Sequence, residues 1–350
     1  MVIPRLDFRT TLLKDGTVLV VGNEPCVAAG EPTGSERTEV FDPVAASWSE
    51  VGALNKERAA PALVALQDGG AMVLGGSNPE SQPYSSTKIY SPAARSWSDG
   101  PLQLRAGSTA AVTLPDGSVL AVGTSRAELL SSGATTWRRT AAPPSTFVPD
   151  RLLLLSSGVV VAVGEREDEL GLTALMTFDP GQEKWRAIEP PDVLRAALVP
   201  LPDGSILALG DDEGGGHVQR YDPANDAWGE SRQMKTGRIR AEVAVLRDGR
   251  VLVAGGVELK SEAVEGGYQV TEGDPLSSTE IYDPAADTWT PGPPLPSARQ
   301  DGRAIALADG SVLVFGGYVE TPPDAEGGDT GTPGPCATPL ATTERLYAVP

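Results

Sequence analysis

One unit recurs seven times along the 350-residue chain: a turn with a glycine, a short apolar run and a second glycine. The second glycine always lies six positions after the first, so all seven units share one register. The first glycines are Gly16, Gly69, Gly117, Gly158, Gly204, Gly249 and Gly310, and the closing glycines are Gly22, Gly75, Gly123, Gly164, Gly210, Gly255 and Gly316. Such a period predicts a repeat architecture in which neighbouring units complete one another's core.

Each unit reads as four short antiparallel strands, a to d. Six of the seven turns read Asp-Gly, which predicts a type I′ hairpin between strands a and b. In six units an aromatic or leucine residue is followed seven positions later by tryptophan, which predicts a second hairpin, between strands c and d. These pairs are Phe41/Trp48, Tyr90/Trp97, Leu130/Trp137, Phe178/Trp185, Tyr221/Trp228 and Tyr282/Trp289. Seven four-stranded units predict a β-propeller, with the tryptophans packed between blades.

The double glycines Gly75-Gly76, Gly255-Gly256 and Gly316-Gly317, with the aromatic residue and tryptophan that follow, resemble the kelch repeat. This resemblance implies an all-β, seven-bladed propeller in one domain, residues 1–350. The blades are expected at 1–52, 53–100, 101–142, 143–190, 191–231, 232–292 and 293–350. The tryptophan of the last unit would fall beyond Pro350, so we expect the seventh blade to lack its outer strand.

The two cysteines lie in corresponding loops of the first and last units. Cys26 and Cys336 would therefore be neighbours in a closed ring, which predicts a disulfide, although two unrelated thiols remain the alternative. A disulfide would place the protein outside the reducing cytosol, as a periplasmic or secreted protein. The first residues, MVIPRLDF, do not resemble a signal peptide, so we expect a mature form.

The charge of the chain argues against two classes of partner. A formal net charge of −19 disfavours nucleic acid and anionic membrane surfaces. No apolar stretch reaches the length of roughly 18 residues that a membrane span needs. We expect a monomer that does not insert into membranes.

The loops between strands b and c differ most in length and carry much of the net negative charge. On a propeller they share one face with the d–a loops, and variable loops on a rigid scaffold commonly bind ligands. Only Arg126, Arg166 and Lys260 are basic in these loops. The acidic face predicts a basic protein partner, a Ca²⁺ site or a rim that only aids solubility.

An arginine lies near the start of strand a in every unit: Arg5, Arg58, Arg105, Arg151, Arg195, Arg238 and Arg299. In similar kelch proteins such arginines bind acidic peptides or sugar acids, which implies a ligand site at the channel mouth. The alternative is that each arginine ties its blade to carbonyls or carboxylates of the neighbouring blade. Tyr84, Tyr268 and Tyr318 are the aromatic candidates for ligand contact.

Three residues form a candidate metal site. Asp211, Glu213 and the only histidine, His217, could hold iron or manganese. The loop resembles the ligand loop of plant nitrile-specifier kelch proteins, except that Leu209 stands at the first carboxylate position. Galactose oxidase, a kelch enzyme, needs two histidines for copper, so that site is excluded. We otherwise predict no cofactor.

Glu242 is the one carboxylate near the start of strand a in the sixth unit. It is a candidate general base, unless it pairs with Arg238 or Arg240. The leading hypothesis is a non-catalytic module that recognises a protein or glycan through the b–c/d–a face. The alternative is an enzyme acting on a small sugar-like or acidic substrate at the channel mouth, of an epimerase or lyase type and possibly metal-dependent.

Overall fold

The fold is a ring of small antiparallel sheets. The computed structural model describes residues 1–3, 5, 8–22, 36–78, 80–107, 110–167, 169–212, 215–264, 267–319 and 340–347. The strands of these residues, in chain order, are β1 Phe8–Leu12, β2 Val18–Gly22, β3 Thr38–Asp42, β4 Ser47–Val51, β5 Ala62–Ala65, β6 Ala71–Leu74, β7 Thr87–Ser91, β8 Ser96–Asp99, β9 Ala110–Thr113, β10 Val119–Gly123, β11 Arg126–Leu130, β12 Arg138–Arg139, β13 Phe147–Leu154, β14 Val160–Arg166, β15 Glu169–Asp179, β16 Lys184–Ile188, β17 Leu194–Pro200, β18 Ile206–Asp212, β19 Gly215–Asp222, β20 Ala227–Trp228, β21 Arg232–Gln233, β22 Arg238–Ile239, β23 Glu242–Val245, β24 Val251–Ala254, β25 Val257–Val264, β26 Gly267–Pro275, β27 Thr279–Asp283, β28 Thr288–Pro291, β29 Arg303–Ala306, β30 Ser311–Phe315 and β31 Thr343–Tyr347. No helix able to cross a membrane occurs in this part of the chain.

Six sheets follow the predicted a–b–c–d order and a seventh follows a–b–c, so the all-β propeller is confirmed. The blades are β1–β4, β5–β8, β9–β12, β13–β16, β17–β20, β23-β24-β27-β28 and β29–β31. In the described residues the seventh blade has three strands, as expected from the sequence. The middle strands are buried along their length because blades cover them on both faces, which explains their continuous apolar runs.

The a–b turns form as the sequence predicts, but their type differs. In the first blade Gly16 donates to the carbonyl of Leu13, and Leu13 donates to the carbonyl of Thr17. Gly16 has a φ of +86°, whereas Asp15 is not among the residues with positive φ. This is a type I turn closed by a left-handed glycine, not type I′. The Asp15 carboxylate accepts the Thr17 N–H at 2.9 Å, which favours this geometry.

The tryptophans pack between blades, as predicted. Five indole N–H groups donate to an acceptor on the preceding blade or on the segment that leaves it. The pairs are Trp48 to Thr343 Oγ1 (2.8 Å), Trp97 to Thr38 Oγ1 (3.0 Å), Trp137 to Pro101 O (3.0 Å), Trp185 to Ala141 O (2.7 Å) and Trp228 to Glu189 O (2.8 Å). Each indole thus joins apolar burial to one directional bond across a blade boundary.

Side chains of the first and last blades close the ring. The rings of Phe8 and Phe315 lie 5.6 Å apart, and Trp48 lies 5.2 Å from Phe315. Arg345 donates to the carbonyl of Pro43 at 2.9 Å. Cys26 and Cys336 lie outside the described residues, so their disulfide and the extracytoplasmic location remain predictions.

Three b–c connections are built as long hairpins rather than loops. They join β14 to β15, β18 to β19 and β25 to β26. The third hairpin also pairs with β22 and forms a separate three-stranded sheet beside the sixth blade. All three belong to consecutive blades, so they build up one sector of the b–c/d–a face.

Candidate functional site

Four of the predicted arginines perform the same structural task. Each donates to the carbonyl of the closing glycine of its own blade, 17 residues further on. The pairs are Arg5 with Gly22, Arg58 with Gly75 (2.8 Å), Arg238 with Gly255 (2.9 Å) and Arg299 with Gly316 (3.0 Å). All four side chains are at most 2% exposed. They hold the start of strand a against the end of strand b.

Carboxylates of strand c complete this arrangement. Arg238 pairs with Glu280 at 2.8 Å, and Arg299 pairs with Glu344 at 2.5 Å. Arg5 bonds Glu39 in the same manner at 3.1 Å. Each carboxylate belongs to the same blade as its arginine. The sequence had indicated partners on the neighbouring blade instead. A buried charge without such a partner is strongly destabilising, so these pairs are part of the fold.

The remaining arginines of the predicted set lie elsewhere. Arg105 is exposed, and its backbone N–H donates to Glu128 at 3.0 Å. The side chain of Arg195 is outside the described residues. Arg151 lines a cavity enclosed by strands a of several blades. The seven arginines therefore do not form one ring, because they occupy different registers on their strands.

The register reveals a second set of equivalent positions, which we call the inner layer. Each member lies on strand a, opposite the residue that precedes the closing glycine. The inner layer consists of Arg9, Ala62, Ala110, Arg151, Ala197, Glu242 and Arg303. Because the closing glycine lies at or near the end of strand b, this layer lies toward the b–c/d–a side of the channel.

Five inner-layer residues line one cavity of about 490 Å³, which we call the channel cavity. They are Arg9, Arg151, Ala197, Glu242 and Arg303, from blades one, four, five, six and seven. Asp150 also lines it. Small side chains in the layer leave room, and the long charged side chains of the other blades line it. This volume is within the range of small-molecule sites.

Arg303 is held by the first blade. Its guanidinium donates to the carbonyls of Gly302 at 2.7 Å and Phe8 at 3.1 Å, and lies 5.2 Å from the centre of the Phe8 ring. For Arg151, burial lowers the pKa, and the Asp150 charge only partly opposes this effect. The groups around Arg151 therefore do not fully offset the cost of removing its charge from water.

Glu242 has an unusual environment. Its side chain is 3% exposed, Oε1 accepts the Gly302 N–H at 2.7 Å, and Oε2 has no hydrogen-bond partner among the described residues. Burial raises its pKa to about 8, and the hydrogen bonds and the Arg299 charge only partly offset that effect. Its expected pairing with Arg238 or Arg240 is wrong, because those arginines bind Glu280 and Glu272. The carboxyl is therefore mostly protonated at neutral pH.

Polar pairs lie next to the channel cavity, and two of their members, Arg240 and Glu272, line an adjoining cavity together with Arg151. Arg240 forms a bidentate pair with Glu272, both bonds at 3.0 Å, and also donates to Gln300 at 3.1 Å. The Tyr318 hydroxyl donates to Asp301 at 2.9 Å, and burial with this carboxylate raises the pKa of the phenol to about 12. These contacts join the long hairpin of blade six to blade seven.

The other predicted site residues are separate from the channel cavity. The Tyr84 ring is 4.8 Å from the guanidinium carbon of Arg58, which places it over a buried structural arginine. The side chains of Tyr268 and Asp211, and all of Glu213, are outside the described residues. His217 lies on β19, opposite Gly210. The described residues contain no cluster of three metal-ligating side chains, so an iron, manganese or calcium site remains a prediction.

Sequence reasoning missed Arg9 and Arg303, although a signal was present. Every inner-layer residue lies thirteen positions before the closing glycine of its unit, whereas the structural arginines lie seventeen before it. Aligning the seven units on that glycine separates the two sets. Nearness to the start of strand a does not distinguish the inner-layer arginines from the structural arginines.

The comparisons with known proteins agree on the repeat. A family model for the Kelch motif matches residues 264–296. The chain is 34% identical to Kelch-like protein terF of Aspergillus terreus over 105 residues, 30% of this chain and 21% of that protein. It is 26% identical to Kelch-like protein 35 of Mus musculus over 197 residues, 55% of this chain and 31% of the relative. The chain spans less than a third of the length of these relatives.

Two solved structures share the fold. A copper-bound fungal alcohol oxidase of the AA5 family superposes with a TM-score of 0.65 at 16% identity, covering 99% of this chain and 74% of the oxidase. YjhT superposes with a TM-score of 0.55 at 14% identity, covering 99% and 95% of the two chains. At these identities the likeness concerns the fold alone.

Proposed function

Since this chain is a kelch-repeat β-propeller, we propose that it is a recognition module that binds a protein with a basic surface through the b–c/d–a face. Kelch-repeat relatives generally mediate protein binding, which supports a binding role. The proposal assigns this role to one face of the ring and one kind of partner.

The observation that carries the proposal is the sector of three long hairpins. β14 with β15, β18 with β19 and β25 with β26 extend three consecutive b–c connections. The a–b turns of the opposite face are alike in all blades, since in each the glycine N–H donates to the carbonyl of the leucine three residues before it. A uniform face serves the scaffold, whereas a face that differs from blade to blade can distinguish partners.

Charge indicates what kind of partner fits. Glu167 and Asp274, at the end of one hairpin and the base of another, are exposed. The b–c loops carry many more acidic than basic residues in a chain of net charge −19. A negative face raises the rate of encounter with a basic surface and weakens in salt.

A library of lysine-rich and acidic peptides, and separately a glycan array, would test the proposal. We expect lysine-rich peptides to bind and the double variant E167Q/D274N to weaken that binding. Raising the salt should weaken it further, because exposed charges are screened over about 8 Å at physiological ionic strength.

The matched control is A93K/A285K, which makes the same change in net charge on exposed c–d turns of the opposite face. The proposal requires this variant to bind like the wild type. Equal weakening by both double variants would show that overall charge, and not this face, causes the effect. Selective binding of a glycan would show that the partner is a glycan and not a protein.

A reaction in the channel is the second candidate, favoured by Glu242. A buried carboxyl with a pKa of about 8 can give or take a proton near neutral pH. Deuterium incorporation into a panel of sugar acids in D₂O would test this. The wild type should exchange a carbon-bound hydrogen of one substrate and E242Q should not, while equal exchange by both would exclude Glu242 as the base.

A further inference from the structure

Arginines of strand c fill the same gap between neighbouring blades at two places in the ring. Each guanidinium donates to the aspartate in the a–b turn of its own blade and to a proline carbonyl in the c–d turn of the next blade. The contacts are Arg220 with Asp203 and with Pro284 O (3.2 Å), and Arg345 with Asp309 and with Pro43 O (2.9 Å). A gap of this kind therefore has the acceptors that a guanidinium needs.

The gap between blades one and two has the same frame without the arginine. Val40 takes the register position of Arg220 and Arg345 on strand c. Asp15 and Pro92 take the positions of the turn aspartate and of the proline that offers its carbonyl. Both line a cavity of about 460 Å³, which we call the interblade cavity. It lies where the chain places its own guanidinium group at two other blade boundaries.

Two carboxylates of the interblade cavity keep one oxygen for a ligand. Asp15 Oδ1 accepts the N–H and the hydroxyl of Thr17, at 2.9 and 2.7 Å, and Asp68 Oδ1 accepts one backbone N–H at 2.9 Å. Oδ2 of each aspartate accepts no hydrogen bond from the described residues, whereas in the two filled gaps this oxygen accepts the arginine. Among the described residues that line the cavity, Lys14 is the only cation, and its ammonium bonds the carbonyl of Gln67 at 3.2 Å.

Tyr90 supplies a second and independent observation. It lines the cavity, its side chain is 1% exposed, and its hydroxyl has no hydrogen-bond partner among the described residues. Tyr221 and Tyr282, at the same position of their blades, donate to an aspartate five residues further on, at 2.5 and 2.7 Å. In blade two that position is Arg95, which offers no acceptor. A buried hydroxyl left unbonded is costly, and a ligand can meet that requirement.

The hydroxyl of Tyr90 lies within electrostatic reach of the carboxylate of Asp15. Burial raises the pKa of this phenol, the charge of Arg95 opposes the rise, and the charge of Asp15 adds to it. One ligand can therefore contact both groups. Since the hydroxyl can accept as well as donate, a ligand with several N–H donors suits the pair.

We propose that the interblade cavity binds the side chain of an arginine presented by a peptide or protein partner. The guanidinium donates to Oδ2 of Asp15 and to the carbonyl of Pro92, and the Tyr90 hydroxyl accepts a further N–H. Asp68 adds a second negative charge. A planar group with five donors meets several acceptors at fixed angles, which a lysine ammonium does less well.

The interblade cavity is separate from the face proposed above for a basic partner. It is formed by a–b and c–d turns, whereas that partner binds the b–c/d–a face. E167Q/D274N should therefore leave arginine binding unchanged. A93K/A285K adds an ammonium at Ala93, which lines the cavity, and should weaken arginine binding. The two sites can thus fail independently of each other.

Calorimetric titration with N-acetylarginine methylamide, at fixed ionic strength, tests the proposal. We expect saturable one-to-one binding with a Kd of about 1–10 mM, because the two aspartates are exposed and water screens them. The citrulline analogue, which has nearly the same shape but no charge, and the lysine analogue should each bind at least about fivefold more weakly. Citrulline binding as tightly as arginine would overturn the proposal, as would no binding of arginine up to about 50 mM.

The variant D15N should weaken arginine binding about fivefold, because it keeps an acceptor for Thr17 and removes the charge. The matched control D116N makes the same change in the a–b turn of blade three, where Ser118 already bonds both carboxylate oxygens. It should bind arginine like the wild type. Equal loss in D15N and D116N would overturn the proposal, because overall charge would then explain the effect.

Two further arms test the hydroxyl and the source of the arginine. Y90F should weaken binding about threefold, and unchanged affinity would exclude the hydroxyl as a contact. The capped arginine, which resembles an arginine within a peptide, should bind at least as tightly as the free amino acid. Tighter binding of free arginine would overturn the peptide partner and indicate an amino-acid ligand.

Discussion

The buried carboxyl of Glu242 makes stability depend on pH, and the variant E242Q isolates its contribution. Burial raises the pKa from 4.5 to about 8, so the folded state binds the proton more tightly than the unfolded chain. The stabilisation from the neutral form is complete below pH 4.5 and is lost as pH rises through about 8. Glutamine keeps the acceptor for the Gly302 N–H but has no proton to lose.

The size of the effect follows from the shift. Each pKa unit corresponds to about 1.4 kcal/mol, so between pH 5 and pH 8 the wild type should lose about 4 kcal/mol relative to E242Q. Relaxation or water entry would reduce this value, so about 2 kcal/mol is a realistic lower expectation.

Urea unfolding at a series of pH values from 5 to 9 measures this difference as the free energy of unfolding. The control E80Q removes one exposed carboxyl and corrects for the general change in charge. Parallel curves for the wild type and E242Q would refute the reasoning, because Glu242 would then titrate alike in the folded and unfolded states.

Two further predictions concern the contacts that hold the blades. W185F removes an indole that donates to Ala141 O at 2.7 Å and should cost about 1–2 kcal/mol in urea unfolding. W289F should cost less, because the buried indole N–H of Trp289 has no partner among the described residues, and equal losses would exclude the interblade bond as the cause. R299M leaves Glu344 buried without its cation and should lower the free energy of unfolding by about 3–5 kcal/mol. The control R139M, on the exposed strand β12, should change it by no more than about 0.5 kcal/mol. A loss below about 1 kcal/mol for R299M would contradict the structural role of this pair.

The repeat and its strands could be predicted because their signals are local. The glycine turns, the apolar runs and the tryptophan spacing each lie within a few residues, and steric limits at those residues decide the hairpins. Even there the turn type was wrong: Asp15 keeps negative φ, because its side chain bonds the Thr17 N–H, and only Gly16 is left-handed.

The roles of the arginines could not be assigned in the same manner. Arg58 and Arg151 both lie near the start of strand a, yet one bonds its own closing glycine and the other lines the channel cavity. The difference is four positions of register, which decides the depth at which a side chain lies and the groups that surround it. Position in the sequence relative to the start of a strand predicts neither this depth nor the surrounding groups.

The sequence by itself thus determined the seven units and their strand order, because periodic local patterns specify them. Only the tertiary structure brought Arg9, Arg151, Glu242 and Arg303, from four blades, around one cavity. It also decided that Glu242 is mostly uncharged, because the cost of desolvating a carboxylate depends on every group packed around it. Ring closure and burial are properties of the whole chain, and no single stretch of residues contains them.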